Sequence, residues 1–127
     1  MKNTIIQWNC QGLKANYNDI LLLLNEQDLA VLCFQETFLK DTDNITLKNY
    51  SLFNTHFQNV DRAAGGVSVV VNNRAPHSVI LLNTDLQTTA VCVTLHQVIT
   101  FCSFYMPPNT NLLPNELDSF VQQLPAP

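Results

Sequence analysis

Charged side chains are scarce in this sequence: Asp, Glu, Lys and Arg together make up 13% of its 127 residues, against about a quarter in ordinary soluble domains. Six residues are Lys or Arg and ten are Asp or Glu, so the formal charge is −4 and the pI is near 5.0. A module that holds nucleic acid by a basic surface alone is thereby excluded. An enzyme that gathers carboxylates around a metal ion and touches phosphates with a few placed donors is not. Disorder is also a poor fit, because hydrophobic residues reach 46% and chains stay unfolded when they are too polar to bury a core.

Other absences narrow the class further. The longest apolar runs, Ile20–Leu24 and Leu29–Phe34, fall far short of the ~20 residues needed to cross a bilayer. The amino terminus turns polar after Ile5 and Ile6, so no secretory apolar segment is seen and an intracellular chain, nuclear or cytoplasmic, is expected. Cys10, Cys33, Cys92 and Cys102 make no Cys-x-x-Cys pair and no Cys/His metal spacing. Three of them lie in apolar runs, and they read as reduced thiols serving as small hydrophobes. There is no internal repeat, linker or charge block, and the length is that of one domain.

What is present reads as alternating strands and helices. Thr4–Asn9 is β-branched and aromatic, the composition of a strand. From Tyr17 to Gln27 the apolar positions Tyr17, Ile20, Leu21 and Leu24 form one helical stripe, with Asn16 or Asn18 as N-cap. Leu29–Phe34 is an unbroken apolar run, as expected of a strand covered on both faces. Tyr50–Phe53 is a further short strand. After Gly65-Gly66, the runs Val67–Val71, His77–Leu82, Thr88–Thr94 and Val98–Tyr105 are joined by short links, which predicts a four-stranded antiparallel meander. Pro114 opens a second helix, carried by Leu117, Phe120, Val121 and Leu124 and ended by Pro125. The expected fold class is α/β, a mixed sheet with packed helices.

Crossovers between parallel strands return the chain in the same direction, so the carboxyl ends of the first two strands share one sheet edge. Asn9 and Glu36 each stand at such an end, where open α/β sheets bind ligands. An amide and a carboxylate there suit a hard metal ion and a phosphate. Each residue has a bland alternative: a Glu after a strand is commonly a solvated loop residue, and turn asparagines are common.

Four segments taken in order carry more. Ile6-Gln7-Trp8-Asn9-Cys10-Gln11-Gly12-Leu13, then Val31-Leu32-Cys33-Phe34-Gln35-Glu36-Thr37, then Gly65-Gly66-Val67-Ser68-Val69, then Phe104-Tyr105-Met106-Pro107-Pro108-Asn109 together resemble the amino-terminal half of the endonuclease/exonuclease/phosphatase superfamily. More narrowly they resemble the apurinic-type endonuclease domain at the front of jockey-like non-LTR retrotransposon polyproteins. The resemblance spans essentially the whole chain. It implies that residues 1–127 are the amino-terminal part of one such domain, part of a four-layer α/β sandwich with its second half missing. It also implies Mg²⁺, with Mn²⁺ as an alternative, held by Glu36 with Asn9 orienting the site. Tyr105 is implied as a phenol donating to a phosphate oxygen, and Gln11 and Arg62 as contacts to DNA. Without the resemblance, Tyr105 reads equally as a strand-end aromatic, and Gln11 and Arg62 as surface residues.

The implied reaction is hydrolysis of a DNA phosphodiester, leaving a 3′-hydroxyl and a 5′-phosphate, in a polyprotein that also carries a reverse transcriptase. The family's Gly-Asp-x-Asn and Ser-Asp-His segments, which supply its water-activating aspartate and its phosphate-stabilising histidine, do not occur here. His56, His77 and His96 therefore read as strand-edge or loop residues. The 127 residues are expected to be inactive by themselves and to expose an apolar inner face toward an absent second sheet. Two rival readings stand beside this one: a phosphoesterase of the same superfamily acting on inositol phosphates or lipids, and a non-catalytic decayed fragment or interaction module.

Overall fold

A computed structural model of the chain describes residues 1–55, 65–108 and 111–126. Its first sheet is built around two largely apolar runs. β2 (Val31–Gln35) and β4 (Val67–Asn72) are buried at every residue, because both of their faces and both of their edges are covered. β1 (Ile5–Asn9) pairs with β2 in parallel, Ile5 opposite Val31 and Asn9 opposite Gln35. β4 runs antiparallel between β2 and β3 (Tyr50–Thr55), which gives the order β1-β2-β4-β3. The parallel pair is linked by α1 (Tyr17–Gln27), at the span its apolar stripe predicts.

The alternation of side chains across the sheet sorts the core into two clusters. On one face, Leu32, Phe34 and Val70 pack against Ile20 and Leu24 of α1. On the other, Val31, Cys33, Val69 and Val71 meet Val91 and Val93 of a second sheet. Full burial of each such side chain is worth about 1.5–3 kcal/mol. The second sheet is the meander β5 (His77–Ile80), β6 (Gln87–Thr94) and β7 (Val98–Tyr105), in that order. On its outer side Phe104 stacks with Phe120 of α2 (Pro114–Gln122), ring centroids 6.0 Å apart. The layers run α1, first sheet, second sheet, α2.

Two expectations are corrected here. The four-stranded meander is three-stranded, because β4 belongs to the first sheet. Both edges of β4 are already occupied by β2 and β3, so the Asn72-Asn73-Arg74 turn cannot close a hairpin onto it. Instead Asn72 ties the strand end down, donating from its backbone to Ala30 (2.9 Å) and from Nδ2 to Leu29 (3.0 Å), and the chain leaves for the second sheet. The second sheet is therefore present within these residues, and the inner face of the first is covered by it rather than bare.

Smaller differences have local causes. Asn16 is the N-cap residue of α1, but its side chain makes no capping bond. It donates instead to the carbonyls of Cys10 and Gly12, both at 2.8 Å. All four cysteines are free thiols. His77 opens β5, its ring edge-on to Phe53 at 5.6 Å, and His96 lies in the β6–β7 turn beside Asn3. His56 lies outside the described residues.

Candidate functional site

The carboxyl ends of β1 and β2 continue as two strapped loops. Cys10 donates to the Gln35 carbonyl (3.1 Å), Gly12 to that of Glu36 (2.9 Å) and Leu13 to that of Thr37 (2.9 Å). The parallel ladder thus runs on past the strand ends and carries Asn9, Gln11 and Glu36 along one edge of the molecule. Asn9 is exposed and one register position from Glu36. Gln11 is exposed, with φ of 47°. Glu36 is half-buried and holds φ of 53°, a left-handed conformation that residues with a side chain seldom adopt. Such strain persists only where surrounding contacts impose it.

Those contacts come from both sheets and from the turn before β4. Before Glu36, the Gln35 side chain accepts from Gln7 and donates to Ser103 of β7 (2.8 Å), and Ser103 donates in turn to the Phe34 carbonyl (2.5 Å). After Glu36, Thr37 donates to the Gly66 carbonyl (3.2 Å) and Phe38 to that of Gly65 (2.9 Å). The Gly66 N–H donates to Gln87 Oε1 of β6 at 2.7 Å. Close approach demands glycine at both positions of this turn. A Cβ at Gly65 would stand 2.5 Å from Gln87 Oε1, one at Gly66 2.6 Å from Thr37 Oγ1, and both residues have positive φ.

Tyr105 ends β7 opposite Gln87. The packing of the two sheets sets its phenol beside the Glu36 carboxylate. Glu36 accepts its hydrogen and so raises the phenol above its ordinary pKa, with desolvation and the carboxylate's charge adding to the effect. The pair joins residues 69 positions apart in sequence. Thiol chemistry has no place at this edge. Burial pushes the Cys10 thiol up, and Cys33, between the sheets, is pushed to about 11 by burial and by Cys102. Among the described residues no three His, Cys, Asp or Glu side chains cluster as a metal site.

Of the residues singled out in the sequence, the structure places Glu36 against Tyr105, with Asn9 and Gln11 on the same edge. Arg62 lies outside the described residues. Sequence reasoning missed Gln7, Gln35, Ser103 and Gln87, whose neutral side chains carry no signal until the two sheets meet.

Residues 6–122 match the Endonuclease/Exonuclease/phosphatase family. The chain belongs to that family. Within it, the RNA-directed DNA polymerase from the mobile element jockey of Drosophila melanogaster is 24% identical over 120 residues, which are 92% of this chain and 13% of that protein. The endonuclease domain of TRAS1, a telomere-specific non-LTR retrotransposon, superposes with a TM-score of 0.63 at 16% identity, over 93% of this chain and 50% of that one. The likeness to TRAS1 is one of fold. This member of the family thus spans half of the solved domain and a small part of the jockey protein.

Proposed function

We propose that the domain to which these residues belong hydrolyses DNA phosphodiesters with a divalent ion, Mg²⁺ or Mn²⁺, as a nicking endonuclease of a retrotransposon polyprotein with a downstream reverse transcriptase. The observation that carries this reading is the Glu36–Tyr105 pair at the strand-end edge that also bears Asn9. Family membership and the likeness to the jockey protein support it.

The donor set fits a hard ion. One carboxylate and one amide oxygen are few ligands, as suits Mg²⁺, which keeps several waters and shares phosphate oxygens. Glu36 and Asn9 would hold it, and when bound it supplies charge neutralisation at the phosphate. The remaining roles fall to the chain itself. The phenol of Tyr105, whose single hydrogen Glu36 accepts here, would turn that hydrogen to a phosphate oxygen whose negative charge grows as water attacks. Gln11, exposed beside Glu36, contacts the DNA backbone, and Arg62 is assigned the same role. In the reaction, the water oxygen bonds to phosphorus as the bond to the 3′-oxygen breaks, leaving a 3′-hydroxyl and a 5′-phosphate.

The 127 residues contain no Gly-Asp-x-Asn or Ser-Asp-His segment, so they hold a metal carboxylate and a phosphate donor without the family's water-activating aspartate. Loss of groups that act as a unit costs several powers of ten. The test is nicking of supercoiled plasmid with Mg²⁺. The expected result is no nicking by these residues alone, and nicking by a polypeptide that adds the family's carboxy-terminal half, abolished by Glu36→Ala. Nicking by residues 1–127 alone would overturn the assignment of inactivity. A completed domain that cleaves inositol phosphates and spares the plasmid would overturn the DNA substrate.

A further inference from the structure

Gln87 is 7% exposed at the start of β6, in register with Tyr105. Its two amide atoms fare differently. Oε1 accepts from the Gly66 N–H at 2.7 Å, whereas Nε2 is buried with no partner among the described residues. The orientation is set by Gly66, whose N–H can only donate, so the amide cannot be turned over to rescue Nε2. A buried unpaired donor carries a desolvation penalty that an apolar side chain of the same size would avoid. What Gln87 does with Oε1 therefore accounts for its presence. Through Gly66 and Gly65 it reaches the backbone N–H groups of Thr37 and Phe38, and with Ser103 and Gln35 on the other side it closes a two-sided grip on the left-handed Glu36.

We propose that Gln87 is a positioning residue: by holding the Gly65–Gly66 turn it fixes the backbone on the far side of Glu36 and sets the direction of that carboxylate. The inference rests on the reading of Glu36 as the metal-holding carboxylate. It adds a residue of β6, opposite Tyr105, through which one end of the second sheet governs both members of the pair. Groups that orient a metal ligand without touching the ion typically change its affinity about 10–100-fold.

The test uses residues 1–127 with Gln87→Leu, which removes the acceptor, Gln87→Asn, which draws it back by one methylene, and Gln87→Glu, which keeps it in reach. Two quantities are read: amide hydrogen exchange at Thr37 and Phe38, with Val91 and Val93 of β6 as internal references, and affinity for Mn²⁺ by water-proton relaxation. The expected result is exchange about tenfold faster at Thr37 and Phe38 in Gln87→Leu and Gln87→Asn, unchanged at Val91 and Val93, with Mn²⁺ bound about tenfold more weakly. Gln87→Glu restores slow exchange. Unchanged exchange at Thr37 and Phe38 overturns the proposal, as does a uniform loss of protection through β6, which would mark a merely structural role. Faster local exchange with undiminished Mn²⁺ affinity also overturns it. If Gln87→Leu does not fold, Gln87→Asn decides. A wild-type chain that binds no Mn²⁺ defeats the reading of Glu36 and leaves the grip to be judged by exchange alone.

Discussion

The phenol of Tyr105 and the carboxylate of Glu36 give the residue scale its clearest consequence. Ionising the phenol would give up its hydrogen bond to Glu36, and desolvation and the carboxylate's like charge add to that cost, so the neutral form is favoured and the pKa rises. Glu36→Gln removes the acceptor charge, and the Tyr105 titration is expected to fall back toward the ordinary value of about 10. Tyrosine Cζ chemical shifts resolve the three tyrosines and follow each through its own titration. A Tyr105 curve that does not move in Glu36→Gln would show that the two side chains do not interact in solution. At this scale Asn9 and Glu36 were legible, because a polar residue closing an apolar run stands out, whereas Tyr105 was singled out only by the family resemblance of its segment. Gln87 and Ser103 were not, because an uncharged polar side chain in a strand looks the same whether it faces water or a partner from another sheet.

Two elements are held by short-range chemistry that can be tested separately. The Gly65–Gly66 turn combines positive φ with contacts too close for a side chain. Gly66→Ala is expected to cost about 1–3 kcal/mol of stability, read by chemical denaturation, and a neutral outcome would mean that Thr37 yields freely. At the other end of the sheet, Asp28 ends α1 with φ of 49° and binds both the Arg74 guanidinium and the amino terminus (3.0 Å). Chiefly the bond to Arg74, then that to the amino terminus, lowers its carboxyl to about 2. A carboxyl depressed in the folded state stabilises the fold above its unfolded pKa of about 3.9 and loses that contribution as pH falls through the folded value. Thermal stability is therefore expected to drop between about pH 4 and pH 2, and Arg74→Met is expected to shrink the drop. Equal acid slopes in the two proteins would argue that the pair contributes nothing. α1 and β7 were legible residue for residue, since an apolar stripe and a run stopped by proline are local signals. The three-stranded meander was not, because the rejection of a hairpin at Asn72 depends on β3 having already taken the second edge of β4.

For the molecule as a whole, the strand edges matter most. β1 and β7 each lie at the border of their sheet, unpaired on one side among the described residues. β7 is eight residues long, Val98-Ile99-Thr100-Phe101-Cys102-Ser103-Phe104-Tyr105, without a charge, and Val98 is 67% exposed. Long, uncharged, apolar edges recruit other strands unless a charge or proline blunts them. The 127 residues are expected to self-associate as concentration rises, and Thr100→Lys, placed on the outward side of β7, is expected to reduce that association in sedimentation velocity. A chain that stays monomeric at high concentration with Thr100 in place would show that the edge is protected. The interior face is a different matter. Valines of both sheets already close it, so any association should run through the edges and not through an open core.

The order of strands and helices, the burial of the Leu29–Phe34 run and the candidacy of Asn9 and Glu36 were set by the sequence alone, and that of Tyr105 by the family resemblance of its segment. The first three depend on periodicity, apolar run length or residue type within a few neighbouring positions. Three things were decided only by tertiary structure: the transfer of the chain to a second sheet at Asn72, the meeting of Glu36 with Tyr105, and the grip of Gln87 and Ser103 on the turn between them. All three arise where two sheets pack face to face. Side chains tens of residues apart become neighbours there for reasons of register and edge occupancy that no local pattern encodes.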